Sequence, residues 1–194
     1  MEKTSLNSKD IVVLNNQDLT IPINNVKREL RKYWDRDHIN YCINKIKNNK
    51  HKMLIRFLWM TGLRVSEVIN IRKKDIDLQS YLITARWLKS RKYKYRVLPL
   101  HPDLKMVLEL YVAGLKSEDL VFPYSRQRVY QLTKKYLRGN PHMLRHSFAV
   151  NWLKCGADIV TLHRVLGHSK IQTTMEYLKI VPIDQGRELI NVKF

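Results

Sequence analysis

The chain has 194 residues, 44% of them hydrophobic, which suits one domain with its own core, or one domain with a short appendage. Its 36 lysines and arginines against 17 aspartates and glutamates give a net charge of +19, which favours a polyanionic partner, nucleic acid first. Cys42 and Cys155 lie far apart with no C-x-x-C spacing, which argues against a disulfide framework and against a cysteine-rich zinc site. The N-terminus MEKTSLNSKD lacks a signal-peptide core, and no apolar run is long enough to span a bilayer. A soluble cytoplasmic protein with no membrane partner is expected.

Residues 1–25 are rich in Asn, Lys, Ser and Asp around a short apolar patch (Ile11 to Leu14), and read as a flexible arm. Two amphipathic helices are expected next. The first covers residues 37–48, with Ile39, Cys42, Ile43 and Ile46 at helical spacing; the second covers 51–61 and is stopped by Gly62. Thr61-Gly62-Leu63-Arg64 is then a tight turn into a fresh helix start, with Val65, Val68 and Ile69 on one side. Residues 75–78 read as a turn into a strand over 81–85. The stretch 86–96 has six basic residues and no acid, and leads into a second strand over 95–100, so the pair predicts a hairpin with a basic turn.

Pro102 suits the first turn of a helix running to Leu115, and residues 121–123 read as extended. Ser125 is placed to cap a cationic helix over 126–137, on which Arg126, Gln127, Arg128 and Gln131 are candidates for base contacts. Gly139-Asn140-Pro141 resets the chain for a helix ended by Gly156. A further helix over 158–166 is closed by Gly167. A last short helix over 169–177 has Ser169 or Thr173 as its cap, and the tail 181–194 reads as one more small helix. The fold class is therefore mainly α with a small antiparallel β-hairpin, an α+β domain.

The chemistry concentrates in residues 141–178, which hold His142, Arg145 and His146 as H-x-x-R-H, then His168 in L-G-H, then Tyr177. His142 and Arg145, three apart, share a helix side, where a guanidinium grips a phosphate in a fixed orientation and an imidazole carries a proton near neutral pH. His142 and His146, four apart, have zinc-ligand spacing, but Met143 stands where a metalloprotease pattern needs glutamate, so His146 reads as a packing histidine. Arg64 at a helix start completes the cluster, with Glu67 capping that helix or orienting Arg64. Tyr177 alone reads as a core aromatic. As a nucleophile its phenol, ordinarily near pKa ~10, would be lowered by the surrounding arginines and histidines.

Together these motifs resemble the catalytic domain of the tyrosine recombinase (phage-type integrase) family over residues 37–178, with TGLRVSEV matching its first arginine box and residues 142–178 its second. The resemblance implies that fold, and domain limits of 26–180 between the arm and the tail. It implies Arg64 and Arg145 as a phosphate clamp, His142 and His168 as transition-state donors and proton carriers, and Tyr177 as nucleophile. A lysine on the hairpin turn protonates the leaving 5′ oxygen in this family; Lys89 fits best, with Arg91 and Lys92 close by. The implied activity is site-specific DNA recombination through a 3′-phosphotyrosyl intermediate, with strand exchange and religation needing neither metal nor ATP. The implied assembly is a homotetramer on DNA and a monomer without it, with the tail 181–194 docking on a neighbouring protomer. The family usually carries a core-binding domain ahead of this one; the residues before the first motif are expected to be too few for it, whether the chain is a naturally short recombinase, a truncated integrase or a fragment. Two other readings compete: a type IB topoisomerase-like relaxer using the same chemistry without synapsis, and a non-catalytic DNA-binding regulator. Tyr177→Phe separates the enzymes from the regulator.

Overall fold

The structure is a computed structural model that describes residues 11–13, 20–22, 33–89 and 92–179. It divides into two units, Met1–Lys32 and Tyr33–Phe194. In the first, β1 (Ile11–Val13) pairs antiparallel with β2 (Thr20–Pro22), Ile11 opposite Pro22, so the expected arm contains a short ladder. The predicted tail helix lies outside the described residues.

The second unit begins with α1 (Arg36–Asn44), which buries Ile39 and Ile43. It is shorter than the predicted 37–48 because Asn48 is taken by the next helix. Asn48 sits in extended backbone, its side chain accepting the His51 N–H at 3.0 Å as the N-cap of α2 (Asn49–Thr61). α2 is central: Met53, Leu54, Ile55, Phe57, Leu58 and Trp59 are all buried, so its apolar face exceeds the single stripe of a surface helix. Gly62 ends it in the left-handed region at φ 60°. A Cβ there would lie 2.3 Å from the Phe148 ring, so both the conformation and the space demand glycine. One turn of helix, α3 (Val65–Val68), follows.

The sheet is larger than predicted. Ile76-Asp77, expected as part of a turn, forms β3 (Ile76–Asp77), which pairs with β4 (Leu82–Lys89); β4 in turn pairs with β5 (Lys92–Pro99) in the antiparallel order β3-β4-β5. Most of the basic stretch expected as turn is strand, with Lys89 opposite Lys92 across residues 90–91. Period-two alternation accounts for this: Ile83, Ala85 and Leu98 are buried, while Leu82, Tyr95 and Val97 face outward, and an outward face accepts cations as readily as apolar groups.

Pro102 opens α4 (Pro102–Val112), which buries Leu104, Leu108 and Val112. Ser125 caps α5 (Arg126–Leu137), its hydroxyl accepting the Arg128 N–H at 3.1 Å. Asn140 caps α6 (Pro141–Lys154), and Asp158 caps α7 (Ile159–Leu166), which Gly167 closes at φ 62°. The last predicted helix is smaller than expected, α8 (Gln172–Met175) continuing as a 3-10 turn over Glu176–Lys179. Neither Ser169 nor Thr173 caps it; its N-cap position is Ile171, with no side-chain cap bond. The core joins α2 and α6 to the segment after α4, where the Phe57 and Phe122 rings lie 4.9 Å apart. Fully burying such a side chain contributes about 1.5–3 kcal/mol. The class is the expected mixture of helices and a small antiparallel sheet. Among the described residues no helix is long and apolar enough to cross a membrane, and Cys42 and Cys155 are free.

Candidate active site

Three chain reversals meet at one place: the turn after α2, the glycine after α7, and the 3-10 turn carrying Tyr177. Arg145, on α6, joins two of them. Its Nη1 donates to the Gly62 carbonyl and its Nη2 to the Leu166 carbonyl, each at 2.7 Å. Both acceptors are carbonyls at the ends of helices that lack intrahelical partners, so the guanidinium satisfies them while they hold it in place. Arg145 is buried, and desolvation, chiefly, together with Arg64 lowers its pKa to about 10, which leaves it charged at neutral pH. Two of its five N–H donors serve these carbonyls.

Arg64 caps α3 from extended backbone, and Glu67 does both things expected of it. Glu67 accepts the Arg64 backbone N–H at 2.7 Å and its Nη1 at 3.3 Å. The Arg64 Nη2 reaches the Gly167 carbonyl at 3.4 Å, and its side chain remains 35% exposed, which leaves it open to solvent and to an incoming anion.

Glu67 also has a partner that sequence reasoning missed. Arg96, on β5, donates from Nη1 at 2.7 Å and from Nη2 at 2.8 Å, a bidentate pair with both side chains buried. Desolvation lowers the Arg96 pKa, against the opposing pull of Glu67. A Cβ on Gly167 would meet Arg96 Nη1 at 2.4 Å, so this glycine admits the arginine as well as closing α7. The available signal was a lone acid at a helix start in a cationic chain; what it lacked was the strand register that carries Arg96 to it. The cluster therefore sets one buried carboxylate against three guanidiniums, Arg64, Arg96 and Arg145.

Tyr177 lies against this excess of positive charge. Its ring is 5.1 Å from His146 and 6.4 Å from His168, nearly parallel to the latter at 17°. The expectation of a lowered phenol is reversed: desolvation raises the Tyr177 pKa and outweighs Arg145 and Arg64, which lower it. Burial removes the water that would solvate a phenolate, so the hydroxyl keeps its proton at neutral pH.

His168 has its pKa lowered to about 4, first by desolvation and then by Arg145, Arg64, His163 and Arg96, so the ring is neutral at pH 7. Its Nδ1 lies 2.9 Å from the Thr174 hydroxyl.

Two predicted residues stand apart from these contacts. His142 is exposed in the first turn of α6, edge-on to Tyr130 at 6.3 Å. His142 and His146 thus face different aromatic partners, Tyr130 and Tyr177. Lys89 is the last residue of β4, at the mouth of the hairpin; its side chain, like Arg91, lies outside the described part of the structure.

Residues 32–182 match the phage integrase family. The chain belongs to that family. Among its relatives, the tyrosine recombinase XerA of Saccharolobus solfataricus is 34% identical over 174 residues, covering 87% of this chain and 59% of the relative. The crystal structure of a XerA recombinase shares the fold at TM-score 0.67 and 23% identity, covering 84% of this chain and 66% of that one. The XerH site-specific recombinase, solved bound to its difH substrate as a pre-cleavage complex, shares it at TM-score 0.61 and 22% identity, covering 76% of this chain and 50% of that one. The integrase fold accounts for why Arg64, Arg145, His168 and Tyr177, scattered over more than half the sequence, converge on one point.

Proposed function

We propose that this chain is a site-specific DNA recombinase in which Tyr177 attacks a DNA phosphate to give a 3′-phosphotyrosyl link and a free 5′ hydroxyl. The observation that carries this reading is a half-buried tyrosine placed against three guanidiniums that a single carboxylate balances only in part. A phosphodiester brings the negative charge that such a cluster lacks. Arg64, partly exposed, and Arg145, with donors to spare, clamp its non-bridging oxygens and stabilise the charge that builds up during in-line attack. His142 and His168 hydrogen-bond the transition state and carry protons, and Lys89 gives a proton to the departing 5′ oxygen. A 5′ hydroxyl of a partner strand then attacks the phosphotyrosine, restoring the phenol and rejoining the DNA. The bond energy is held in the phosphotyrosine throughout, so the reaction consumes no ATP, and fixed guanidiniums take the part a metal plays in other nucleases. Relatives named as tyrosine recombinases and the DNA-bound XerH of the same fold support the assignment.

The test is covalent trapping in EDTA on nicked, end-labelled duplexes tiled across the DNA flanking the chain's own gene. A denaturant-resistant adduct that Tyr177→Phe abolishes supports the reading. Tight binding without adduct would instead favour a regulator. We also propose a homotetramer on DNA from a monomer in solution; light scattering that finds dimers at most on a recombining site would contradict it.

A further inference from the structure

The Thr174 hydroxyl is fully buried between two imidazoles. His168 Nδ1 lies 2.9 Å from its oxygen on one side, and His163 Nδ1, from the last turn of α7, lies 3.1 Å away on the other. A hydroxyl has one proton to give and two lone pairs to receive. If both Nδ1 atoms were bare, one would lack a donor. If both carried protons, the hydroxyl's own proton would need a third partner inside a buried pocket, and an unmade hydrogen bond there is costly. One ring therefore donates to Thr174 and the other accepts from it.

The direction sets the His168 tautomer. His168 is neutral, crowded by Arg145, Arg64 and Arg96, with the Tyr177 ring against its face. His163 is partly buried, like His168; with a proton on its Nδ1 it donates to the hydroxyl, whose own proton then turns to His168. Resting on the recombinase reading, we infer that His163 is a positioning residue. Acting through the Thr174 hydroxyl, it holds His168 in the tautomer with a bare Nδ1 and a proton on Nε2, the nitrogen left to donate to a phosphate oxygen. In the opposite tautomer Nε2 presents a lone pair, which repels that oxygen. No contact between His163 and DNA is required.

Nitrogen-15 ring correlations on the DNA-free protein test the relay directly, in the wild type and in His163→Gln, His163→Leu, Thr174→Ser and Thr174→Val. The wild type is expected to show His168 protonated at Nε2. Gln and Ser, which keep a donor and a hydroxyl, should preserve that signature, whereas Leu and Val should mix in the Nδ1-protonated form. Adduct formation on the nicked duplex pool should fall about tenfold or more in the Leu and Val variants and stay within about threefold in the Gln and Ser variants. Thr174→Val, isosteric with threonine, and Thr174→Ser, which keeps the hydroxyl, carry the test if His163→Leu does not fold. A wild-type His168 protonated at Nδ1 overturns the inference, as do Leu and Val variants with unchanged tautomer and rate. Absence of any adduct from the wild type would overturn the recombinase reading, while the ring signals would still decide the relay.

Discussion

Glu67→Gln is the most informative single perturbation of the site. The carboxylate is buried and accepts both terminal nitrogens of Arg96 together with the backbone N–H and a side-chain nitrogen of Arg64. Glutamine keeps the shape and one acceptor oxygen, but turns an NH2 towards guanidinium donors and removes the charge. Arg96, only 8% exposed at its side chain, is then left uncompensated beside Arg64 and Arg145. Removing one partner of a buried pair costs about 3–5 kcal/mol. For a domain of this size that lowers the melting temperature by roughly 6–20 °C. Urea and thermal unfolding followed by circular dichroism measure it. Adding Arg96→Met to Glu67→Gln should recover much of the loss, because the double variant no longer buries a lone charge. A Glu67→Gln loss below about 1 kcal/mol, or a double variant as weak as the sum of the singles, would refute the claim that this carboxylate holds the cluster together.

Other outcomes follow from the same geometry. The His168 pKa falls from an ordinary 6.5 to about 4 on folding, so the unfolded chain binds the extra proton; stability is full above pH 6.5 and declines as the pH drops towards 4, by about 1–2 kcal/mol once solvent screening of the half-exposed ring is discounted. His51, lowered by burial, Arg128 and Lys135, acts in the same sense, so the His168 share is the part that unfolding curves lose in His168→Gln. Gly62→Ala puts a Cβ against Phe148 at positive φ and should cost about 1–3 kcal/mol in chemical denaturation, whereas Gly114→Ala, with open space around it, should stay within about 0.5 kcal/mol. If Lys89 is the proton donor, a substrate with sulfur at the bridging 5′ position should restore cleavage to Lys89→Ala and leave Arg145→Ala inactive; equal rescue of both would remove Lys89 from that role.

What the sequence disclosed and what it concealed divide along local and non-local lines. Gly62, Ser125 and Gly167 mark helix ends through their own backbone and side-chain chemistry, and each stands where it was expected, while Asp158, expected as the first residue of its helix, is its N-cap. Arg64, Arg145, His168 and Tyr177 were legible as residue types in motif frames, and the fold brings them together. Arg96 was not legible, because a residue in a basic stretch becomes the partner of an acid 29 positions earlier only through strand register and burial. Thr174 was hidden for a related reason: its hydroxyl matters only because α7 and α8 set two imidazoles around it. The direction of the Tyr177 shift depends on desolvation, which packing determines and a list of neighbouring charges does not. The hairpin was underestimated because strand preference on an exposed face tolerates the cations that suggested a turn.

The most direct test of the central claim is to digest the trapped protein–DNA adduct and map the linkage by mass spectrometry. The account predicts a single nucleotide-bearing peptide modified at Tyr177 and joined through a 3′ phosphate, with a free 5′ hydroxyl on the other strand end. A 5′ linkage, or an adduct on any other residue, would contradict it.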